Sequence, residues 1–449
     1  MAVLSFKPDR PGPACTLPAP GLLRCEDGPM TENIGFISTR LAGTDGVSLE
    51  AAKWASVLES EGHNCYWYAG RLDCPAERSM CVPEAFFNHP ENAWINERIW
   101  GKTARTHQIS HRIREMRTYL KQTLYDFLEK FDIKIMVLEN VLAIPMHIPL
   151  GLALAELMSE THVPAIGHHH DFYWERTRFS VSAVNDYLDM AFPPRDHDLQ
   201  HVVINQAAQE ELARRKSISS MVIPNVLDYE SPPATAGAPA ADVRASLGLA
   251  PDDRLILQPT RVIPRKGIGH AINLVQMLGN PKYKLVVSHE AGDEGFEYKA
   301  MLTGFAKRSG VDLRFIDIQA AGARPAAEKD QKSFTLWDIY PHADFVTYPS
   351  MYEGFGNAFL EAVYFKKPIL VNRYEVFSRD IEPKGFRAPI IEGFLTREIV
   401  EEVRRIISDA DYRRAMVEHN FKVASRYFSY AVLRRSLRTL ITNIRGLTP

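Results

Sequence analysis

Apolar runs of strand length alternate along the chain with amphipathic segments of helical spacing. The first run, Ile34–Ser38, is followed by a helical pattern that ends at Gly62, and Ser48 is the predicted cap of that helix. Later runs such as Ile133–Leu138 are apolar on both faces, which is typical of parallel strands covered by helices. The pattern predicts an α/β fold built on doubly wound parallel sheets.

A segment rich in Pro and Ala, Ser231–Ala240, separates two such series and is typical of a linker. Each series is long enough to form its own Rossmann-like domain, and two domains are expected for a chain of 449 residues. The predicted order is a loose N-terminal arm (1–30), a first domain (31–228), a linker (229–242), a second domain (243–425) and a C-terminal helix that returns to the first domain (426–449).

Composition narrows the class of protein and its partners. The chain is 45% hydrophobic and 24% charged, with a net charge of -2, so no overall field attracts nucleic acid or anionic lipid. No stretch approaches the roughly 20 apolar residues that span a bilayer, and the N-terminus lacks the pattern of a secretory signal. Five cysteines without paired spacing predict free thiols. We expect a cytoplasmic protein with small-molecule partners; the oligomeric state stays open.

The most specific motif is Glu353-Gly-Phe-Gly-Asn-Ala-Phe-Leu-Glu361, which follows a predicted strand ending at Tyr348. Its two glycines allow the backbone to approach a ligand closely, and the helix that begins there directs free N–H groups at it, as a phosphate requires. Taken alone, the motif fits a structural glycine corner with two solvated glutamates equally well.

A second motif, Pro259-Thr-Arg-Val-Ile-Pro-Arg-Lys-Gly267, follows the first strand of the second domain. Arg261 and Lys266 then lie near the carboxyl end of that strand, where open α/β sheets bind ligands. Two cations there could hold a diphosphate and stabilise the charge that develops on it as a leaving group. The alternative is a solvated basic loop, which is the more frequent fate of such a pair.

Together these elements resemble the retaining glycosyltransferases of family four, which have the GT-B fold of two Rossmann-like domains facing across a cleft. The resemblance extends from Ile34 onward and includes Ile223-Pro-Asn225 and the spacing of Glu353 and Glu361. It implies a hexosyltransferase that moves mannose or glucose from a nucleotide-diphosphate sugar, such as GDP-mannose or UDP-glucose, to a small polar acceptor. Nucleotide and hexose stay open.

The resemblance also implies roles for residues of the second domain. Arg261 and Lys266 would clamp the diphosphate, Glu361 would accept hydrogen bonds from the ribose hydroxyls, and Glu353 would orient the donor sugar. Backbone N–H groups would contact the distal phosphate or sugar at Phe355, Gly356 and Asn357.

The first domain is predicted to hold the acceptor. Gly46 matches a glycine of the family's glycine-rich loop, whereas Asp45 stands where a second glycine is common. Asp45 is therefore expected to contact an acceptor hydroxyl, unless the turn merely tolerates Asp. His170 matches the family's histidine beside the transferred sugar. The predicted catalytic residues are His170, Arg261, Lys266 and Glu353.

The segment Phe172-Tyr-Trp-Glu-Arg-Thr-Arg-Phe179 is unusually aromatic and basic for a loop. Tyr173 could stack on a sugar, and Arg176 or Arg178 could meet a carboxylate or phosphate of the acceptor. Packing against neighbouring helices explains these residues equally well. The segment resembles relatives that make mannosyl or glucosyl osmolytes on glycerate-type acceptors, so a glucosylglycerate-like molecule or another sugar or phosphosugar is the expected acceptor.

Three consecutive histidines, His168 to His170, suggest a metal site, but neighbours on an extended chain point to opposite faces. No cysteine or second histidine cluster in the sequence supplies another ligand. We therefore expect no metal ion and no cofactor, and we expect His168 and His169 to pack in a loop.

The resemblance implies retention of anomeric configuration: the nucleoside diphosphate departs, the acceptor attacks from the same face, and a phosphate oxygen receives its proton. The same fold can serve a sugar-nucleotide epimerase, a phosphorylase with a pyridoxal lysine, or a non-catalytic nucleotide-sugar sensor. These alternatives differ in whether nucleotide release depends on an acceptor.

Overall fold

The computed structural model describes residues 31–43, 45–231, 240–288, 296–316 and 335–447. The predicted N-terminal arm lies outside this part of the chain. Within it, the structure consists of two α/β units, each built on one parallel sheet, and the predicted fold class is confirmed. No helix in these ranges is both long and apolar enough to cross a membrane.

The first sheet has the order β3-β2-β1-β4-β5-β6-β7, and all its strands are parallel. Its strands are β1 (Asn33–Ile37), β2 (Asn64–Ala69), β3 (Ser79–Cys81), β4 (Ile135–Glu139), β5 (Ala165–His169), β6 (Leu199–Val203) and β7 (Met221–Val222). The helices of this unit are α1 (Gly46–Ser60), α2 (Pro90–Ile99), α3 (His107–Phe131), α4 (Ile148–Thr161), α5 (Asn185–Ala191) and α6 (Gln206–Lys216).

The second sheet, also parallel, has the order β10-β9-β8-β11-β12-β13. Its strands are β8 (Arg254–Gln258), β9 (Tyr283–Val287), β10 (Asp312–Phe315), β11 (Phe345–Tyr348), β12 (Ile369–Asn372) and β13 (Ile390–Ile391). The remaining helices are α7 (Ala240–Ser246), α8 (Ile268–Leu278), α9 (Phe296–Arg308), α10 (Leu336–Ile339), α11 (Asn357–Tyr364), α12 (Arg397–Ser408), α13 (Ala410–Tyr427) and α14 (Tyr430–Leu447).

Helix α1 begins two residues before the predicted cap. Asp45 is its N-cap residue, and its Oδ1 accepts hydrogen bonds from the backbone N–H groups of Val47, at 3.1 Å, and Ser48, at 3.2 Å. The prediction that Ser48 caps the helix is therefore wrong. An ionised Asp in that position satisfies two free N–H groups and complements the positive end of the helix dipole.

The chain crosses between the two units at two adjacent points. The N–H of Leu227 donates to the carbonyl of Phe428 at 2.9 Å, where the C-terminal segment leaves the second unit. Tyr229 is already buried in the second core, its hydroxyl donating to the carbonyl of Leu360. Since α7 starts at Ala240, the predicted linker 229–242 is too long at both ends, and 232–239 lie outside the described residues.

Helix α14 lies on the face of the first sheet that α1 also covers. Leu433, Leu437 and Leu440 are buried there in one cluster with Trp54 of α1. The opposite face of the sheet is covered by α3, α4 and α5. The C-terminal segment therefore leaves the second core at Phe428 and completes the first one.

Candidate active site

The loops that carry the predicted donor residues meet at one point of the second sheet. Strands β8 and β11 are neighbours in the middle of this sheet, and the strand order runs outward from them in opposite directions. Ligands of open α/β sheets bind at such a switch point, beside the carboxyl ends of the strands. Lys266 follows β8 and Glu353 follows β11, so the topology brings the two predicted motifs together.

Lys266 and Glu353 form a buried ion pair, each side chain being about one-tenth exposed. Burial lowers the pKa of Lys266, although Glu353 opposes the shift; burial acts to raise the pKa of Glu353, but Lys266 holds it below its usual value. Each of the two groups thus favours the charged form of the other. Arg265, which the sequence analysis did not select, donates to the carbonyl of Tyr352 at 2.8 Å and approaches Glu353 at 3.4 Å.

Arg261 is exposed and lies near enough to Lys266 for its charge to lower the pKa of that amine. Within the described ranges no carboxylate forms an ion pair with it. Gly267 allows the loop after β8 to approach the loop after β11: its φ is 64°, and a Cβ there would lie 2.2 Å from the carbonyl oxygen of Pro349. Any other residue would push the two loops apart.

The turn before α11 has the conformation predicted for a phosphate-binding loop. Gly356 has a φ of 127°, and a Cβ would lie 2.2 Å from the hydroxyl of Tyr374, which donates to the carbonyl of Phe355 at 2.8 Å. Among the described residues no side chain caps the start of α11, so the N–H groups of Asn357 and Ala358 are available to a ligand, whereas that of Phe359 bonds to the carbonyl of Gly356. The Phe355 ring is buried in the second core, and the Asn357 side chain accepts a hydrogen bond from Asn225 of the first unit at 2.7 Å.

Glu361 lies inside α11, where its Oε2 accepts a hydrogen bond from the hydroxyl of Tyr340 at 2.9 Å. Burial raises the pKa of Glu361 to about 7, although Tyr340 and the ammonium of Lys53 act in the opposite direction. Lys53 belongs to α1, so the first unit contributes charge beside this carboxyl group. The ammonium of Lys53 also donates hydrogen bonds to Glu50 at 2.5 Å and to the carbonyl of Val226 at 2.8 Å.

A second polar cluster lies at the carboxyl ends of β4 and β5 in the first sheet. Oε2 of Glu139 lies 3.0 Å from Nδ1 of His168 and 3.3 Å from Nε2 of His170. Burial acts to raise the pKa of Glu139, but the two histidines hold it at about 2; burial acts to lower the pKa of His170, yet Glu139 raises it overall. Glu139 is thus an ionised carboxylate between two imidazoles.

His169 points to the opposite face of β5, where its Nε2 lies 2.9 Å from Nδ1 of His201. This is the alternation expected of an extended chain, but the predicted loop at 168–169 is wrong because β5 continues to His169. The strand can continue to His169 because Glu139 and His201 satisfy buried imidazoles that would otherwise cost free energy.

The two polar clusters approach each other where the domains meet. The side-chain amide of Asn205 donates to the carbonyl of Gly354 at 2.7 Å, and the carbonyl of His170 would lie 3.7 Å from a Cβ on Gly354. The hydroxyl of Tyr352 donates to Glu175 at 2.6 Å. The structure therefore brings His170 next to the loop that carries Glu353.

Comparisons with known proteins agree with this arrangement. Residues 329–423 match the family model for glycosyl transferases group 1. The chain is 33% identical over 432 residues to the mannosylglucosylglycerate synthase of Thermotoga maritima, a match that covers 88% of this chain and 96% of that relative. The chain belongs to the group 1 glycosyltransferases.

Two further matches extend over most of this glycosyltransferase. The mannosylglucosylglycerate synthase of Petrotoga mobilis is 30% identical over 414 residues, which is 86% of this chain and 89% of the relative. The crystal structure of a glycosyltransferase from Rickettsia africae has a TM-score of 0.66 at 12% identity and covers 93% of this chain and all of that one. The structural match concerns the fold, and the predicted GT-B architecture is confirmed.

In the loop after β1 of the glycosyltransferase, the side chain of Asp45 contacts residues that are near it in sequence. Besides capping α1, Asp45 pairs with Arg40 at 3.0 Å and accepts a hydrogen bond from the hydroxyl of Ser48 at 2.7 Å. Gly46 is exposed and has open space around the position of a Cβ. Contact of Asp45 or Gly46 with the acceptor therefore stays a prediction.

The aromatic segment after His170 is used mainly for packing. Phe172 is fully buried and Trp174 stacks on it at 4.5 Å, while Tyr173 packs against the first core. Arg176 is paired with Asp171, so its charge is already neutralised. Arg178 differs: it is exposed, lies 4.4 Å above the ring of Phe179, contacts Met146, and forms no ion pair within the described part of the chain.

The glycosyltransferase also has side chains that could hold a metal ion. The potential ligand atoms of Glu139, His168 and His170 all lie within 4.8 Å of one another. Glu139 was not among the predicted ligands, because only histidine and cysteine partners were expected. In the structure these three groups satisfy one another by hydrogen bonding.

The raised pKa of Glu361 predicts how donor affinity depends on pH. The family resemblance implies that ribose hydroxyls would donate to the ionised carboxylate, and one pH unit below a pKa of about 7 only about a tenth of the groups is ionised. Donor affinity measured by calorimetry is therefore expected to be up to about tenfold lower at pH 6 than at pH 8.5, and to level off above about pH 8.

Glu361→Gln is expected to bind the donor more weakly and without this pH dependence. Glu402→Gln is the matched control, because Glu402 also accepts a hydrogen bond from a tyrosine, Tyr412, at 2.6 Å, but in α12. A pH dependence that persists unchanged in Glu361→Gln would contradict the assignment.

Proposed function

We propose that this enzyme transfers a mannosyl group from a nucleoside-diphosphate mannose to a glucosylglycerate-type acceptor, with retention and without a metal ion or cofactor. The observation that carries the proposal is its match, over nearly their whole length, to two relatives named mannosylglucosylglycerate synthases. Formation of such a product requires a sugar donor and an acceptor that bears the glycerate carboxylate.

The second domain has the features that a diphosphate donor needs. Lys266 and Arg261 supply two positive charges, and the uncapped start of α11 supplies N–H groups. In the unliganded protein Lys266 is paired with Glu353; when the diphosphate binds, Lys266 would turn to it and free Glu353 for the sugar hydroxyls. Charge growing on the departing diphosphate would then be stabilised by groups already in position.

Retention follows if the acceptor attacks on the face from which the diphosphate departs. A phosphate oxygen would receive the acceptor proton, so no separate general base is needed. His170 would lie beside the transferred sugar, since its backbone is next to Gly354. The acceptor carboxylate would be recognised by Arg178, whose charge no described carboxylate neutralises.

The proposal is tested by measuring nucleoside diphosphate release. Purified enzyme is incubated with GDP-mannose, ADP-glucose or UDP-glucose, each with glucosylglycerate, with neutral glucosylglycerol, or with no acceptor. We expect rapid release only with a mannose donor and glucosylglycerate. Acceptor-independent conversion of the donor would favour an epimerase, binding without turnover would favour a sensor, and either result would refute the proposal.

A further inference from the structure

Glu139 is a fully buried carboxylate at the end of β4 for which the mechanism above has no use. An ionised carboxylate in such a place costs free energy unless hydrogen bonds satisfy it. It has two partners, Nδ1 of His168 at 3.0 Å and Nε2 of His170 at 3.3 Å. Its position at the carboxyl edge of the sheet places it directly behind the cleft side chain of His170.

Ring contacts and a backbone hydrogen bond restrict the motion of the two imidazoles. Trp54 of α1 lies on His168 with ring centroids 4.1 Å apart and an interplanar angle of 22°, and His168 lies 4.4 Å from His170. The backbone N–H of His170 also donates to the side chain of Asn140 at 3.0 Å. These contacts leave the ring of His170 little freedom to rotate.

The hydrogen bond to Glu139 determines which nitrogen of His170 is available to a substrate. An ionised carboxylate can only accept, so Nε2 must carry the hydrogen that it shares with Glu139. Nδ1 is then the ring atom left for the cleft, and among the described residues none bonds to it. The same logic operates wherever a buried carboxylate orients a catalytic imidazole.

We propose that Glu139 is a positioning residue for sugar transfer, which fixes the orientation and tautomer of His170 so that Nδ1 faces the substrates. This inference rests on the proposed function, because it assumes that His170 lies beside the transferred sugar. His168, held between Trp54 and Glu139, acts as a spacer that keeps the carboxylate in place.

Glu139→Gln tests the proposal with little change in shape. Both carboxylate oxygens of Glu139 face Nδ1 of His168, and Oε2 also faces Nε2 of His170, so in either orientation the NH2 group of the amide lies against His168. A neutral amide also holds the N–H of His170 less firmly than an ionised carboxylate does. We expect turnover to fall about 10²-fold or more, as when a triad carboxylate is replaced by its amide, with a donor KM within about threefold of the original. Nitrogen NMR of labelled histidine is expected to show Nε2 of His170 protonated in the parent enzyme and an altered pattern in Glu139→Gln.

His201→Gln is the matched control, because it breaks a buried hydrogen bond between imidazoles on the other face of the same sheet. We expect it to lower the melting temperature with turnover near that of the parent. The positioning role is overturned if Glu139→Gln loses no more turnover than His201→Gln, or if it raises the donor KM alone.

Two further outcomes also decide the inference. Stoichiometric binding of Zn²⁺ or Mn²⁺ by the parent enzyme, with activity lost on chelation and no binding by Glu139→Gln, would make the cluster a metal centre and overturn the positioning role. If the parent enzyme transfers no mannose, the proposed function fails; the NMR spectra still decide whether Glu139 fixes the tautomer of His170.

Discussion

Lys266→Ala is expected to lower turnover by about 10²-fold or more when donor and acceptor are both saturating. Lys266 is a buried ammonium whose position is set by Glu353 and by the short turn that ends at Gly267. Once Lys266 has turned to the bound diphosphate, its charge would be in place when the diphosphate departs, and removal of one such donor typically costs about 10²- to 10³-fold in turnover. The loss should persist at every donor concentration, because it concerns the transition state.

Lys282→Ala is the matched control for this prediction. Lys282 is an exposed lysine of the same domain that pairs with Asp252 at the surface. Exposed ion pairs contribute little to the free energy of unfolding. Circular dichroism and melting temperatures of both variants show whether the fold is retained, since Glu353 keeps Arg265 as a neighbour after Lys266 is removed. Near-normal turnover of Lys266→Ala would exclude Lys266 from the catalytic residues.

Arg178→Ala is expected to raise the KM for a carboxylate-bearing acceptor by roughly 10- to 100-fold. Hydrogen bonds to a charged group contribute about 1.5–3 kcal/mol, and each 1.4 kcal/mol corresponds to a factor of ten. The KM for the donor should stay unchanged, and activity with neutral glucosylglycerol should be as low as in the parent enzyme. The measurement is initial-rate kinetics with both acceptors.

Arg215→Ala controls for the loss of an exposed arginine in the same domain. Arg215 pairs with Glu211 and lies over the ring of Trp174. Its kinetic constants should match those of the parent enzyme. An unchanged acceptor KM in Arg178→Ala would show that the carboxylate is recognised elsewhere.

The candidate donor residues could be selected from the sequence because they lie in two continuous motifs. Gly354 and Gly356 indicate a tight turn, and Lys266 and Glu353 each follow an apolar strand. The structure adds that the two strands, β8 and β11, are neighbours. Pairing between strands that lie about 90 residues apart cannot be predicted from the local pattern of apolar and polar residues.

Glu139, Arg265 and Tyr340 were missed for the same physical reason. Each becomes informative only through a partner distant in sequence or through burial: Glu139 through His168, Arg265 through Tyr352, and Tyr340 through Glu361. A glutamate at the end of an apolar strand is usually solvated, so the sequence alone gives no reason to select it.

Helix α12 is a different case, because its signal was present in the sequence. Val400, Val403 and Ile407 recur at helical spacing and are buried, and Thr396 caps the helix. The segment has no catalytic motif, so the sequence predicts no functional role for it. Its role is to cover the second sheet, together with α8, in one core cluster.

We expect this enzyme to make a mannosyl bond with retention at the site formed by Lys266, Glu353 and His170. The most direct test follows the reaction of GDP-α-mannose with glucosylglycerate by proton NMR from the first minutes. We expect the first product to carry an α-mannosyl linkage and GDP to appear in an equal amount. A β-linked first product, or consumption of the donor without a new glycosidic bond, would contradict it.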